Sequence, residues 1–353
     1  MVAGKSPNRN WPDFFTRGFD VPVEPIASPG FSYRAGRRLD LIGTVWQGCR
    51  RSRSFFAALR ELDHLYATEQ PELLVNFLEP MVGIHHWLRR PRVPQLAIGH
   101  QFMASHPSYP TKSGTRTGLW GMQAFARLVA GRGICHALSF FRAEDLPARR
   151  LRVAPPLLRD EVTHLPSQSG CHLLIYLLNA GYRAEVEHWH RRHPEVQVHC
   201  FYERSPGSGE EVVDGTLTFH PLHGERFLRM MASSRGVVCS AGFESIAEAA
   251  SLGKPVLAIP VEGHLEQQLN ALDASRCGLA VAATRYDLER LPTEADPPAL
   301  ERFRSWLCES DARLSASVQA ATAARKLPAR SQWAAAPEAP PPRGHHVDAP
   351  SPR

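Results

Sequence analysis

What most constrains this chain is an alternation in its second half between short, unbroken apolar runs and amphipathic stretches. The runs are CHLLIYLL (171–178), VQVHCFY (196–202), TLTFHPL (216–222), GVVCS (236–240), PVLAIP (255–260) and LAVAA (279–283). Between them stand AEVEHWHRRH, ERFLRMMASS, FESIAEAASLG and HLEQQLNALDASRCG, whose apolar residues recur at helical spacing. Unbroken apolar runs are strands buried on both faces, and strands separated by helices assemble into parallel α/β sheets. Gly253 and Gly278 stand where left-handed helix C-caps belong.

The first half repeats the pattern less regularly. PVEPIA (22–27) reads as an extended piece followed by the loop SPGFSYRAGRR. Residues 40–69 read as a long helix with Leu41, Val45, Phe55, Phe56, Leu59, Leu62 and Leu65 on one stripe. LLVNF (73–77) and PQLAIG (94–99) read as strands flanking a helix through Trp87. The expectation is two doubly wound, Rossmann-like α/β domains, residues 1–152 and 153–326, with the proline-containing crossover LRVAPPLLRDEV (151–162) between them. A Pro/Ala-rich tail, 327–353, lacks periodicity and reads as disordered. The opening Met1-Val2-Ala3-Gly4 resembles the end of a strand, so the first domain is expected to lack its first strand, turn and helix.

Charge and cysteine usage narrow the function classes. Residues 1–153 carry 21 Lys/Arg against 11 Asp/Glu, and the remaining 200 carry 20 against 24. The basic half lacks interleaved aromatics and any helix-turn-helix or RNA-binding signature, which argues against nucleic acid and favours peripheral contact with an anionic membrane face or a phosphate-bearing acceptor. No apolar run is long enough to span a bilayer, and no secretory signal opens the chain. The seven cysteines are scattered, odd in number and never in a C-x-x-C pair, which fits a reducing cytoplasm. His188, His190 and His193 lie beside Arg191 and Arg192, so they read as a solvated face rather than metal ligands.

The chemistry concentrates in residues 236–270. Ser240-Ala241-Gly242 lies between a strand and a helix, where the exposed N–H groups of the helix can seat phosphate oxygens. Glu244 and Glu248 are four apart and share a helix face, where they read as exposed carboxylates from which ribose hydroxyls can be accepted. Glu266, Gln267 and Asn270 follow the end of a strand, and amides and carboxylates suit sugar hydroxyls. In the first half, Leu78-Glu79-Pro80 and His100-Gln101-Phe102 end two strands. Glu79 also reads as a turn former, and His100 as a cap on its strand. No Asp-x-Asp motif for a metal-bound diphosphate appears, which leaves a helix N-terminus to carry the leaving-group charge.

With these residues in view, the chain resembles the donor-binding half of GT-B glycosyltransferases. The likeness is strongest to glycosyltransferase family 28, which holds the cell-wall N-acetylglucosaminyltransferase and the monogalactosyldiacylglycerol synthases. Within it, the turns at Phe77, Glu79, Pro80 and at Gly99, His100, Gln101 resemble an uncharacterised prokaryotic branch. The resemblance implies a hexosyltransferase using a nucleotide sugar, with UDP the expected carrier, needing no cofactor and no metal. The acceptor stays open among a glycolipid, a polyprenyl-linked glycan and a soluble glycan. It also implies roles for Ser240 and Gly242 at the diphosphate, Glu248 at the ribose, Glu266, Gln267 and Asn270 at the hexose, and Asn179 and Gly181 at the nucleotide. Gln101 falls on the acceptor side, and His100 and Glu79 are the candidate catalytic groups. The alternatives are a catalytically inactive sugar-nucleotide-binding or scaffold protein and a sugar-nucleotide epimerase on the same fold.

Overall fold

The computed structural model describes residues 1–5, 21–29, 32–34, 38–40, 52–111, 114–204 and 207–323. The first half contains β1 (Val2–Lys5), β2 (Glu24–Ala27), β3 (Ser32–Arg34), β4 (Arg38–Asp40), α1 (Ser52–Glu69), β5 (Leu74–Asn76), α2 (Pro80–Arg89), β6 (Gln95–Gly99), a 3₁₀ turn over His100–Ser105, α3 (Arg116–Ala130), β7 (Ile134–Leu138) and β8 (Leu151–Ala154). The second contains α4 (Asp160–His164), β9 (Leu173–Tyr176), α5 (Arg183–His190), β10 (Val198–Tyr202), β11 (Glu211–Val212), β12 (Leu217–Pro221), α6 (Gly224–Ala232), β13 (Gly236–Cys239), α7 (Phe243–Ser251), β14 (Val256–Ala258), α8 (Leu265–Arg276), β15 (Val281–Ala282), α9 (Pro297–Leu307) and α10 (Ser310–Ala323).

Two parallel sheets organise the molecule. In the first, β5, β6, β7 and β8 lie in that order, every pair parallel. In the second the order is β11-β12-β10-β9-β13-β14-β15, and only the edge strand β11 is antiparallel. From β9 the chain winds outward through β10 to β12, then returns to the other side of β9 and continues through β13 to β15. The winding reverses between β9 and β13. At such a reversal the loops leaving the two strands diverge to opposite faces and open a crevice at the carboxyl edge, where open α/β sheets take their ligands.

Four first-half expectations change. The opening stub is itself a strand, β1, paired in parallel with β2, so the expected absence of a first strand does not hold. The expected absence of a turn and helix after it concerns residues 6–20, which lie outside the described residues. Within the expected loop, β3 and β4 pair antiparallel. Residues 38–40 are extended, and α1 begins only at Ser52; Leu41 and Val45 lie outside the described residues, as does the tail. The expected crossover opens with a strand, because Leu151–Ala154 pairs with β7 as β8, so the boundary at 152/153 falls inside the first sheet. In the second half, His190 is buried against Asp214 (Nε2–Oδ2 3.2 Å) instead of lying on a solvated face.

The halves share one apolar core, in which Leu96, Ile98 and Leu138 from the first sheet, with Phe140 just beyond β7, meet Phe243, Ile246 and Ala247 from α7. Burial of each such large side chain stabilises by about 1.5–3 kcal/mol. The last helix returns to the first sheet, where Ser317 Oγ lies 2.9 Å from His136 Nδ1 on β7 and Arg313 pairs with Asp145 at 3.3 Å. Among the described residues, no helix is long and apolar enough to cross a membrane.

Candidate functional site

The winding reversal is built from the residues the sequence singles out. Ser240 is buried, and its Oγ accepts the N–H of Leu178 (3.0 Å) and donates to the Tyr176 carbonyl (3.3 Å). This one hydroxyl ties the ends of β9 and β13 together at the mouth of the crevice. One residue further, the Asn179 side chain accepts the Gly181 N–H (3.0 Å) and caps a short 3₁₀ turn leading to α5.

The turn into α7 is strained and open. Ala241 holds φ +53°, a left-handed conformation that costs a residue bearing Cβ on the order of 1–3 kcal/mol. Its carbonyl accepts the Asn270 side-chain N–H (3.1 Å), which clamps the turn to α8. Gly242 is the N-cap of α7 and offers no side chain to cap it. A Cβ there would meet nothing closer than Ser245 Oγ at 3.7 Å, so the space before the helix is clear. The first N–H groups of a helix have no partner within it, and the helix dipole adds partial positive charge at that end. Strain, clear space and uncapped amides at the reversal make a seat for an anion.

Residues from the first half close over this turn. His100 is buried and stacks on Phe243, the first residue of α7, with ring centroids 4.0 Å apart. Its Nδ1 lies 2.7 Å from the Leu138 carbonyl and carries the proton, so the lone pair sits on Nε2, which is buried against the Asn270 side chain. Burial pushes the imidazole pKa down to about 4 and keeps it neutral. Next to it, Gln101 Nε2 donates to Glu266 Oε1 across the two halves (2.8 Å). Burial raises the Glu266 pKa, against the opposing effect of that hydrogen bond. Gln267 is buried, and its Oε1 accepts the Val261 N–H (2.8 Å), so it braces the loop leading to α8.

Asn179, Gly181, Ser240, Gly242, Asn270, His100, Gln101, Glu266 and Gln267 thus form one connected neighbourhood. Two expected site residues have partners outside it. Glu79 caps α2, its carboxylate accepting the Met81 N–H (3.0 Å) and the Ser28 hydroxyl (2.9 Å), while burial raises its pKa. Glu248, expected as an exposed helix carboxylate, is only 4% exposed. It pairs with Arg159 through both oxygens, at 2.6 and 2.8 Å. Sequence reasoning missed that arginine, which lies 89 residues upstream in the crossover. It also missed Tyr182, whose hydroxyl accepts the Glu262 N–H (3.0 Å) and holds the loop before α8. Among the described residues, no group of three or more His, Cys, Asp or Glu is placed to hold a metal ion.

Comparison with known proteins adds an independent line. Residues 29–294 match the family described as Glycosyl transferase family 1. No curated protein matches the chain in sequence. Three solved structures share its fold. The glycotransferase of kitacinnamycin is 14% identical with a TM-score of 0.53, over 93% of this chain and 91% of that one. The calicheamicin glycosyltransferase CalG4 is 13% identical with a TM-score of 0.51, over the same shares of each chain, 93% and 91%. Phytolacca americana UGT2, complexed with UDP-2fluoro-glucose and pterostilbene, is 11% identical with a TM-score of 0.54, over 87% of this chain and 88% of that one.

Proposed function

Because the chain belongs to glycosyl transferase family 1 and has the α/β architecture of GT-B glycosyltransferases, we propose that it transfers a hexose from a UDP-linked donor to an acceptor hydroxyl. The observation that carries this reading is the uncapped α7 N-terminus behind the strained Ala241–Gly242 turn, set where the winding of the second sheet reverses. In the proposal the donor diphosphate lies on the α7 amides, and the helix end stabilises the charge that grows on it as the glycosidic bond breaks, without an obligatory metal. Asn179 and Gly181 border the nucleotide, and Glu266 and Asn270 face the hexose. Gln267 acts by holding the loop before α8, and Glu248 meets the ribose.

Single displacement also requires a group to take the acceptor proton. His100 Nε2 carries a lone pair at the junction of the halves and is the proposed proton acceptor, with Gln101 beside it on the acceptor side. Glu79, committed to the α2 cap, is assigned to orienting that turn. In this reading the first sheet, through the end of β8 at Ala154, belongs to the acceptor side and the second sheet to the donor side, with α10 returning to the first sheet. The family 28 likeness of residues 236–270 supports the same donor arrangement.

The test is UDP release from UDP-glucose, UDP-galactose and UDP-N-acetylglucosamine, with and without a panel of hydroxyl acceptors. Acceptor-dependent release from one donor is the expected result. Saturable donor binding without release under any condition favours a sugar-nucleotide-binding protein, and absence of both overturns the reading.

A further inference from the structure

The Arg159–Glu248 pair is unequal. The Glu248 side chain is 5% exposed and that of Arg159 44%. Glu248 is anchored in the second turn of α7, whereas Arg159 sits on the crossover between the halves, just before α4. The guanidinium meets the carboxylate side-on: Nε reaches Oε1 at 2.6 Å and Nη2 reaches Oε2 at 2.8 Å. Its remaining Nη1 points to the start of α6, 3.5 Å from where a Cβ on Gly224 would lie. One side chain therefore links the second turn of α7 to the first residue of α6, the two helices that follow β13 and β12.

A two-point fork does what a single charge does not. It fixes the carboxylate plane and uses one acceptor position on each oxygen. A carboxylate offers about four such positions, so two remain for a vicinal diol. We propose that Arg159 is a positioning residue for the donor: it orients Glu248 so that the carboxylate distinguishes a ribose diol from a deoxyribose. This rests on the reading that Glu248 meets the ribose.

The experiment measures affinity for UDP, 2′-deoxy-UDP and inorganic pyrophosphate by calorimetry, on the full chain and on Arg159→Lys and Arg159→Ala. The parent is expected to prefer UDP over 2′-deoxy-UDP by at least about tenfold, the value of one hydrogen bond to a charged group. Arg159→Lys keeps the charge but loses the fork, and is expected to retain pyrophosphate affinity while the preference shrinks severalfold. Arg159→Ala is expected to bring the preference close to one. Should the alanine variant fail to fold, the lysine variant decides alone, its fold checked by thermal melting. A parent that prefers UDP, with an Arg159→Lys variant that keeps the full preference, overturns the role of Arg159 and leaves the donor site standing. A parent that binds none of the three overturns the donor reading and this inference with it. A parent that binds UDP and 2′-deoxy-UDP equally removes the ribose role of Glu248, and with it that of Arg159.

Discussion

Two turns in this molecule share a backbone plan and part at the N-cap side chain. Each leaves a parallel strand, passes through a left-handed residue that is not glycine, and starts a helix at the next position but one. In the first sheet these are Leu78 (φ +57°), Glu79 and the start of α2; in the second, Ala241 (φ +53°), Gly242 and the start of α7. Each is braced by an asparagine: Asn76 donates to the Glu79 carbonyl (3.2 Å), and Asn270 to the Ala241 carbonyl (3.1 Å). At α2 the N-cap carboxylate turns back onto the Met81 N–H and satisfies the helix end from within. At α7 the N-cap has no side chain, and the helix end is left for something else. The same geometry thus makes a closed structural turn in one half and an uncapped helix start, the proposed anion seat, in the other.

Making the second turn resemble the first is the strongest way to break the comparison. Gly242→Asp places a capping carboxylate on α7, and its φ of −69° suits aspartate. Replacing a glycine N-cap by aspartate changes helix stability by only a few tenths of a kcal/mol. UDP affinity measured by calorimetry is expected to fall at least about a hundredfold, or about 2.7 kcal/mol, with the melting temperature held or raised. Unchanged affinity in a folded variant removes the anion seat.

The next effect is on stability. Glu248→Ala is expected to cost about 2 kcal/mol by urea unfolding, below the 3–5 kcal/mol seen when a wholly buried pair loses one partner, because Arg159 can turn to water. A cost near zero would return Glu248 to the exposed helix face.

Smaller changes sharpen the contrast. Glu79→Ala removes the α2 cap and is expected to cost about 1 kcal/mol of stability with UDP affinity unchanged. Loss of UDP binding in a folded Glu79→Ala protein would place that turn in the donor site. For His100, whose folded pKa is depressed to about 4 from 6.5, the unfolded chain binds the proton more readily, so its share of stability is present above pH 6.5 and lost as pH falls towards 4. Between about pH 7 and pH 5.5 that share amounts to about 1 kcal/mol. A buried, uncharged His100→Phe variant is expected to show a correspondingly shallower decline in urea stability over that window, and an identical slope would contradict the assignment.

The second sheet was legible because both its faces are buried. LLIY, VHCFY and VVC read as unbroken apolar runs, and Gly253 and Gly278 mark helix ends with φ of +72° and +74°. The Ser240–Gly242 turn was legible because a strand, a small-residue turn and a helix follow one another within a few positions. Long-range pairings leave no such local trace. Nothing near Glu248 announces Arg159, and nothing near His190 announces Asp214, so both side chains read as solvated. β8 was read as part of a crossover because two prolines follow it at once, yet its four residues complete the first sheet through backbone bonds to β7. The motif likeness pointed to family 28, whereas the matching family is described as family 1; the GT-B fold is common to both readings.

The most direct test of the open-seat account is a UDP titration followed through the backbone amide signals of the two helix starts. The account predicts that Phe243, Glu244 and Ser245 shift saturably while Met81 and Val82 stay in place. Shifts at Met81 with α7 unmoved, or no shift at either end, would contradict it.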